Sequence, residues 1–190
     1  MEILAEQGWA AITSRTVARR AGAAPGLINY HFGDLSALKR EIASAAVTDT
    51  FPSALAVLTA EDDWSAGLAK SVRSCDTMTA RQLHAVAELV VAATHDEQVA
   101  TVVRSALAEA RGRLVPHLAA TGATQPEGLA TLVLASLDGL VLHRIIDPEL
   151  PLADVAAAAE ADLVRAPEHQ SSTQRGRSRQ VLHDSPGSST

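Results

Sequence analysis

An all-α fold is what this sequence predicts, and three observations carry the prediction. Alanine, the strongest helix former, supplies 37 of the 190 residues, and hydrophobic residues together make up 47%. Long runs of alternating β-branched residues, the mark of half-buried strands, are missing. Apolar residues instead recur three and four positions apart, between residues that cap or break helices. A chain of this length holds one sizeable core, or a small domain and a larger one that share a helix.

Each element has its own justification. EILAEQ (2–7) is a short helical start that sets Ile3 and Leu4 against a small domain. The next helix spans about 13–21, with Thr13 as a hydroxyl N-cap and Val17, Ala18 and Ala21 on its buried face. Gly22 stops it, because glycine accepts the left-handed backbone of a sharp helix exit. Pro25 then opens a helix to about residue 30, since a first turn tolerates a residue without an N–H. Leu27 or Ile28, with Phe32, would face inward, leaving Gly26, Asn29, Tyr30 and His31 free. Two short helices about a glycine turn are the sequence form of a helix-turn-helix, whose second helix fits the DNA major groove.

A connecting helix follows over 34–48, capped by Asp34, with Leu35, Leu38, Ile42, Ala45 and Ala46 on one stripe. A further helix starting near Pro52 carries Leu55 and Leu58, and Glu61, Asp62 and Asp63 form a loop and cap before a helix at 64–78. Stronger patterns cover 80–94 (Leu83, Val86, Ala87, Val90) and 96–120 (Val99, Val102, Val103, Leu107, Leu114), with Pro116 kinking the latter late. Residues 126–146 are apolar on more than one face, so this helix needs cover on most sides, from its own chain or from a second copy. A last amphipathic helix lies at 151–165, and the Ser-rich polar stretch 166–190 reads as a disordered tail.

Charge is distributed in a way that matters. The net −6 hides a mildly basic N-terminal end, +1 over residues 1–46, and a −8 middle over 47–165. This permits a DNA partner at the N-terminal end while predicting modest non-specific affinity. The single Cys75 makes no internal disulfide, and no clustered Cys/His spacing suggests a metal site. No apolar stretch is expected to span a bilayer and no signal peptide is evident, which predicts a cytoplasmic protein without a membrane partner. GxSxG, Walker and HExxH patterns are absent, so neither catalytic residues nor a cofactor are expected.

The order and spacing Gly8-Trp9, Thr13, Val17-Ala18, Ala21-Gly22, Gly26, Tyr30-His31-Phe32 and Leu38 resemble the tetracycline-repressor (TetR) family of dimeric bacterial transcriptional regulators. The resemblance places Met1 near the last two turns of the family's first helix, so a head truncated at its N-terminus is expected. It implies a helix-turn-helix DNA-binding domain with its connecting helix (1–48) and a helical ligand-binding and dimerisation domain (49–165). Its partners would be double-stranded DNA, a small-molecule effector and a second copy of the chain.

Residue by residue, the resemblance implies phosphate contacts from Thr13, Ser14 and Arg15. Pro25, Gly26 and Leu27 would approach base edges, Asn29 would bond a base or phosphate, and Tyr30 and His31 would hold the backbone. Ala24 and Leu35 depart from the family, which often has a capping hydroxyl and a phosphate-contacting lysine there. The resemblance also makes the last two helices a four-helix dimer seam, with Leu129, Val133, Leu137, Leu140, Val141, Val155 and Leu163 as interface candidates. All five aromatic residues lie in the first third of the chain, so an effector pocket would be aliphatic, dotted with Cys75, Met78, His84, His117 or His143. A ligand-responsive regulator, in repressor form, is the expected function. An all-α dimeric ligand-binding or interaction protein with a decayed reading head is the competing class.

Overall fold

The computed structural model describes residues 2–162, apart from the side chains of 50–54. Leu163, the tail 166–190 and the Phe51 side chain therefore lie outside the described residues. Within them the chain is helical and contains no strand. Helix α1 (Glu2–Gln7) leads through a 3-10 turn (Trp9–Ala11) to α2 (Ser14–Ala21) and α3 (Pro25–Phe32). The body contains α4 (Leu35–Leu58), α5 (Trp64–Cys75), α6 (Ala80–Ala93), α7 (Glu97–Ala120), α8 (Pro126–Ile146) and α9 (Leu152–Asp162).

Side-chain oxygens begin five of these helices. Asp34, Asp63 and Asp96 accept first-turn amides, while Thr13 and Thr79 form reciprocal capping boxes with Thr16 and Gln82. Thr13→Ala is expected to destabilise α2 by about 1 kcal/mol. Amide hydrogen exchange would show this as faster exchange over 14–21 with α5–α9 unchanged.

Three apolar clusters organise the packing. The body core joins Leu55 and Leu58 of α4 to Leu68 and Val72 of α5, Leu114 and Leu118 of α7, Val133 and Leu137 of α8 and Ala156 of α9. A second cluster brings Ile3, Leu4, Trp9 and Ile12 onto Ala43 and Ala46 of α4, Ala85, Leu89 and Ala92 of α6 and Val99 of α7. The third is small: Ala18, Ile28 and Leu38 tie α2, α3 and α4 together. Ile3 and Leu4 thus serve the junction between the N-terminal helices and the body.

Several expectations require correction. The helix expected to begin near Pro52 is the continuation of α4, which runs unbroken across position 48 and on to Leu58. Its C-terminal turns are held by Leu55 and Leu58 against α5 and α7, contacts that local sequence does not reveal. Ala43 is fully buried on α4, whereas Ala45 and Leu35 face outward. On α2 Ala21 is exposed, and on α6 the buried face carries Ala85, Leu89 and Ala92 in place of Val90. Alanine-rich helices have apolar residues on several faces, so their pattern leaves rotation about the helix axis open. Pro116 stands inside α7, which continues to Ala120.

Helix α8 overturns the expectation about membrane-spanning length. At 21 residues, with a mean hydropathy of 1.7 in its most apolar window, it is long and apolar enough to cross a bilayer by length and composition alone. Only 22% of that window is buried within this chain. The outward stripe is Gly128, Leu132, Ala135, Gly139, Leu142 and Ile146, a run of alternating four- and three-residue steps. Leu132 is 62% exposed and Ile146 82%. Val133, Leu137 and Val141, expected at a dimer seam, belong to the chain's own core instead. A side chain within the core has no surface to offer a second copy. Leu129, Leu140 and Val155 are partly buried against the same core.

Asp138, on the flank of α8, has its carboxyl pKa raised by burial. Burial disfavours the charged form. A carboxyl raised in the folded state leaves stability intact below the unfolded aspartate range and removes it as pH rises through the folded value. Asp138→Asn should therefore unfold at a higher temperature than wild type at neutral pH. The difference should vanish below the ordinary aspartate range in a pH series of thermal melts.

Candidate nucleic-acid interface

The N-terminal motif is built from its turn outward. Gly22 ends α2 with φ 64°, a left-handed conformation that suits glycine, and its N–H returns to the carbonyls of Ala18 and Arg19. Pro25 opens α3 behind Ala24, which offers no side-chain cap. Ile28 alone of this helix is buried, against Ala18 and Leu38. With one buried anchor, Pro25, Gly26, Asn29, Tyr30 and His31 face out.

The exposed set is continuous. Pro25, Gly26, Asn29, Tyr30 and His31 are exposed, Leu27 is 46% exposed and Tyr30 82%. A Cβ added at Gly26 would meet nothing within 4 Å, so the backbone there is open to close approach. Tyr30 and His31 meet edge to face at 5.4 Å, which stiffens the C-terminal end of the surface. Ser14 reaches across from α2 and donates its hydroxyl to Asn29 Oδ1 at 3.3 Å. That bond orients the Asn29 amide and leaves its NH2 donors to meet acceptors such as guanine O6 and N7, thymine O4 or a phosphate oxygen.

Thr13 is the hydroxyl N-cap of α2, as its sequence position predicts. Its hydroxyl accepts the Thr16 N–H at 3.1 Å and pairs with Thr16 Oγ1 at 3.0 Å, so it is engaged by the cap. The first-turn amides of α2 remain the anion-facing groups there. Arg15 and Arg19 are exposed, whereas Arg20 is held by Glu2 at 2.9 Å and Glu6 at 2.5 Å. The bond from Arg20 lowers the Glu6 pKa and the same partnership raises that of Arg20. Phe32, expected to turn inward, is partly exposed and lines a cavity of about 330 Å³ beneath α1 with Ile3, Val17 and Leu38.

The expected effector residues are dispersed. Cys75 lies in the body core, where burial raises its thiol pKa, and Met78 packs on the edge of that core. His84 is exposed on α6. His117 is half-buried, with an enclosed Nε2 that has no hydrogen-bond partner among the described residues. Of the five only His143 lines the groove of about 460 Å³ between α5, α8 and α9, whose other walls include Leu68, Val72, Ser136, Gly139 and Val155. Ser136 and Gly139 on α8 put small side chains along this wall, which leaves the groove open. Among the described residues no three His, Cys, Asp or Glu side chains cluster as a metal site would need.

A turn-linked helix pair with a solvent-facing second helix, ahead of an all-helical body, is a helix-turn-helix architecture. Residues 1–45 match the model of bacterial regulatory proteins of the tetR family, and residues 59–166 match the tetracyclin repressor-like C-terminal domain. The chain belongs to the TetR family and is a ligand-responsive, DNA-binding transcriptional regulator. GusR of Salmonella enterica shares its fold at 20% identity and a TM-score of 0.66, over 80% of this chain and 84% of that one. A transcriptional regulator from Rhodococcus sp. Rha1 is 26% identical with a TM-score of 0.61, over 83% of this chain and 85% of its own. No curated protein matches the chain.

Proposed function

We propose that the chain acts as a cytoplasmic homodimeric repressor whose two α3 helices enter successive major grooves of a near-palindromic operator. The outward face of α3 carries the reading: one residue anchors the helix while Gly26, Leu27, Asn29, Tyr30 and His31 stay available. Gly26 lets backbone approach base edges, Leu27 packs on a thymine methyl, and the Asn29 amide donates to a base or phosphate. Pro25 fixes the start of the helix at the groove. Ser14, Arg15, Tyr30 and His31 position the phosphate backbone, helped by the first-turn amides of α2 that the Thr13 cap leaves free. The work is binding, with no catalytic step.

The division of labour we infer gives residues 1–48 the reading and residues 49–165 effector binding and dimerisation, with α4 crossing between them. The uncovered α8 stripe supports a seam with a second copy, flanked by the partly buried Leu129, Leu140 and Val155. The enclosed, unpartnered His117 Nε2 supports a small polar effector in the body, because an orphaned buried nitrogen gains a bond when a ligand supplies one. An effector that prefers a splayed arrangement of the two heads shifts the population off DNA.

Fluorescence anisotropy with the DNA upstream of the chain's own gene tests this reading. The expected result is saturable binding at least about 1,000-fold tighter than to a scrambled duplex at physiological salt. Equal affinity for the two duplexes would leave the interaction protein with a silent head as the better description.

A further inference from the structure

The N-terminal helices meet the body chiefly along two helices, α4 and α6, with Val99 of α7 closing the same cluster. Helix α4 is the covalent one, passing from Leu38 in the small motif core through Ala43 and Ala46 to Leu58 in the body core. Helix α6 is the second. It contributes Leu83 to the body core and Ala85, Leu89 and Ala92 to the cluster that holds Ile3, Leu4, Trp9 and Ile12.

Polar contacts fix the register of this second attachment. Glu88 on α6 accepts the Trp9 backbone N–H at 2.8 Å, across 79 positions of sequence. Its carboxylate presses so closely on the turn that a Cβ at Gly8, where φ is 80°, would lie 2.8 Å from Glu88 Oε2. Two turns of α6 earlier, Arg81 meets Glu6 at 3.1 Å and Glu2 at 3.7 Å, and those two carboxylates also grip Arg20 of α2. The line of charge therefore runs from α6 through α1 to the first helix of the reading motif. Lys39 of α4 sits over the Trp9 ring at 5.5 Å, so the same tryptophan touches both attachments.

A head held only by α4 could pivot about that helix. Attachment at a second, separate point removes the rotation. We propose that Glu88 and Arg81 are positioning residues that set the angle of the DNA-reading head. The proposal rests on the reading function above, because the angle has consequences only if two heads must match two half-sites. Exposed ion pairs contribute little energy on their own. Their role here is orientation, with the Glu88–Trp9 bond and the buried alanine face of α6 supplying the grip.

The angle of the heads fixes the half-site spacing that the dimer accepts, so spacing is the readout. The probe is a duplex selected by the wild-type chain from a randomised library, compared by anisotropy with the same duplex carrying two extra base pairs between its half-sites. Wild type should prefer the selected spacing by about 10-fold or more, while Glu88→Ala and Arg81→Ala bring that preference below about 3-fold. Glu88→Gln keeps a carbonyl for the Trp9 N–H and should stay near wild type. In a Trp64→Phe background, the Trp9 emission of the alanine variants should shift to the red and become more quenchable by iodide. Arg81 is solvent-exposed, so its variant folds regardless of the outcome. Unchanged spacing preference in both alanine variants, or unchanged Trp9 emission, overturns the strut while leaving the reading function standing. A wild-type chain that binds every duplex alike overturns the reading function and this proposal with it.

Discussion

Alanine at both Asn29 and Tyr30 is expected to lower operator affinity by on the order of 100-fold, from losses of about 1–3 kcal/mol per specific contact. The two losses should differ in kind. The amide of Asn29 is held by Ser14 with its donors outward, so its removal should relax preference at particular base positions. Tyr30 is 82% exposed and, on the proposed reading, meets the sugar-phosphate backbone, so its removal should weaken all sequences alike and leave the salt dependence unchanged, because a neutral phenol releases no counterion. Neither side chain supports the core, so the melting temperature should stay within error of wild type. Gel-shift titrations of the single and double variants across a salt series check both halves of the expectation. Affinity that survives the double change would remove α3 from the interface.

The second large effect concerns α8. Leu132→Asp combined with Ile146→Asp should weaken self-association by more than about 100-fold, because each change places an unpaired carboxylate in a contact that must be desolvated. Both residues are exposed in the isolated chain, so the monomer has no folding reason to object. Sedimentation velocity should show the mass falling from two chains to one, and operator binding should fall with it as the paired half-sites are lost. Val133→Asp provides the contrast, since Val133 is buried in the chain's own core and its charge should unfold the protein. An unchanged dimer mass in the double variant would move the seam to another face.

These expectations differ in how far the sequence alone supports them. Helix starts are written locally: Thr13, Asp34, Asp63, Thr79 and Asp96 each bring an oxygen within reach of first-turn amides, a relation that spans only two or three residues. The turn at Gly22 and the proline start at Pro25 are equally local, and the exposure of α3 follows from its single strong anchor, Ile28. Rotation about the helix axis is another matter. On α6 the sequence offers both Leu89 and Val90, and on α8 both Val133 and Leu132, and only the packing of other helices decides which one is covered.

Nonlocal contacts were the least legible. Nothing around Glu88 announces a partner at Trp9, because the bond joins an acidic side chain in one helix to a backbone amide far away in sequence. The continuity of α4 across the proline position depends likewise on Leu55 and Leu58 meeting α5 and α7. Of the lining of the groove between α5, α8 and α9 only His143 stands out in the sequence, because small residues such as Gly139 leave space and carry no chemical signature of their own.

The central claim is that the exposed face of α3, paired by twofold symmetry, reads DNA through the major groove. Methylation protection at guanine N7 on the selected operator tests it most directly, because that atom lies on the major-groove edge. The account predicts two protected patches in successive major grooves, about 10 base pairs apart centre to centre, and their loss when Asn29 is replaced by alanine. Guanines that stay uniformly reactive while the chain is bound, or protection that ignores the Asn29 change, would contradict it.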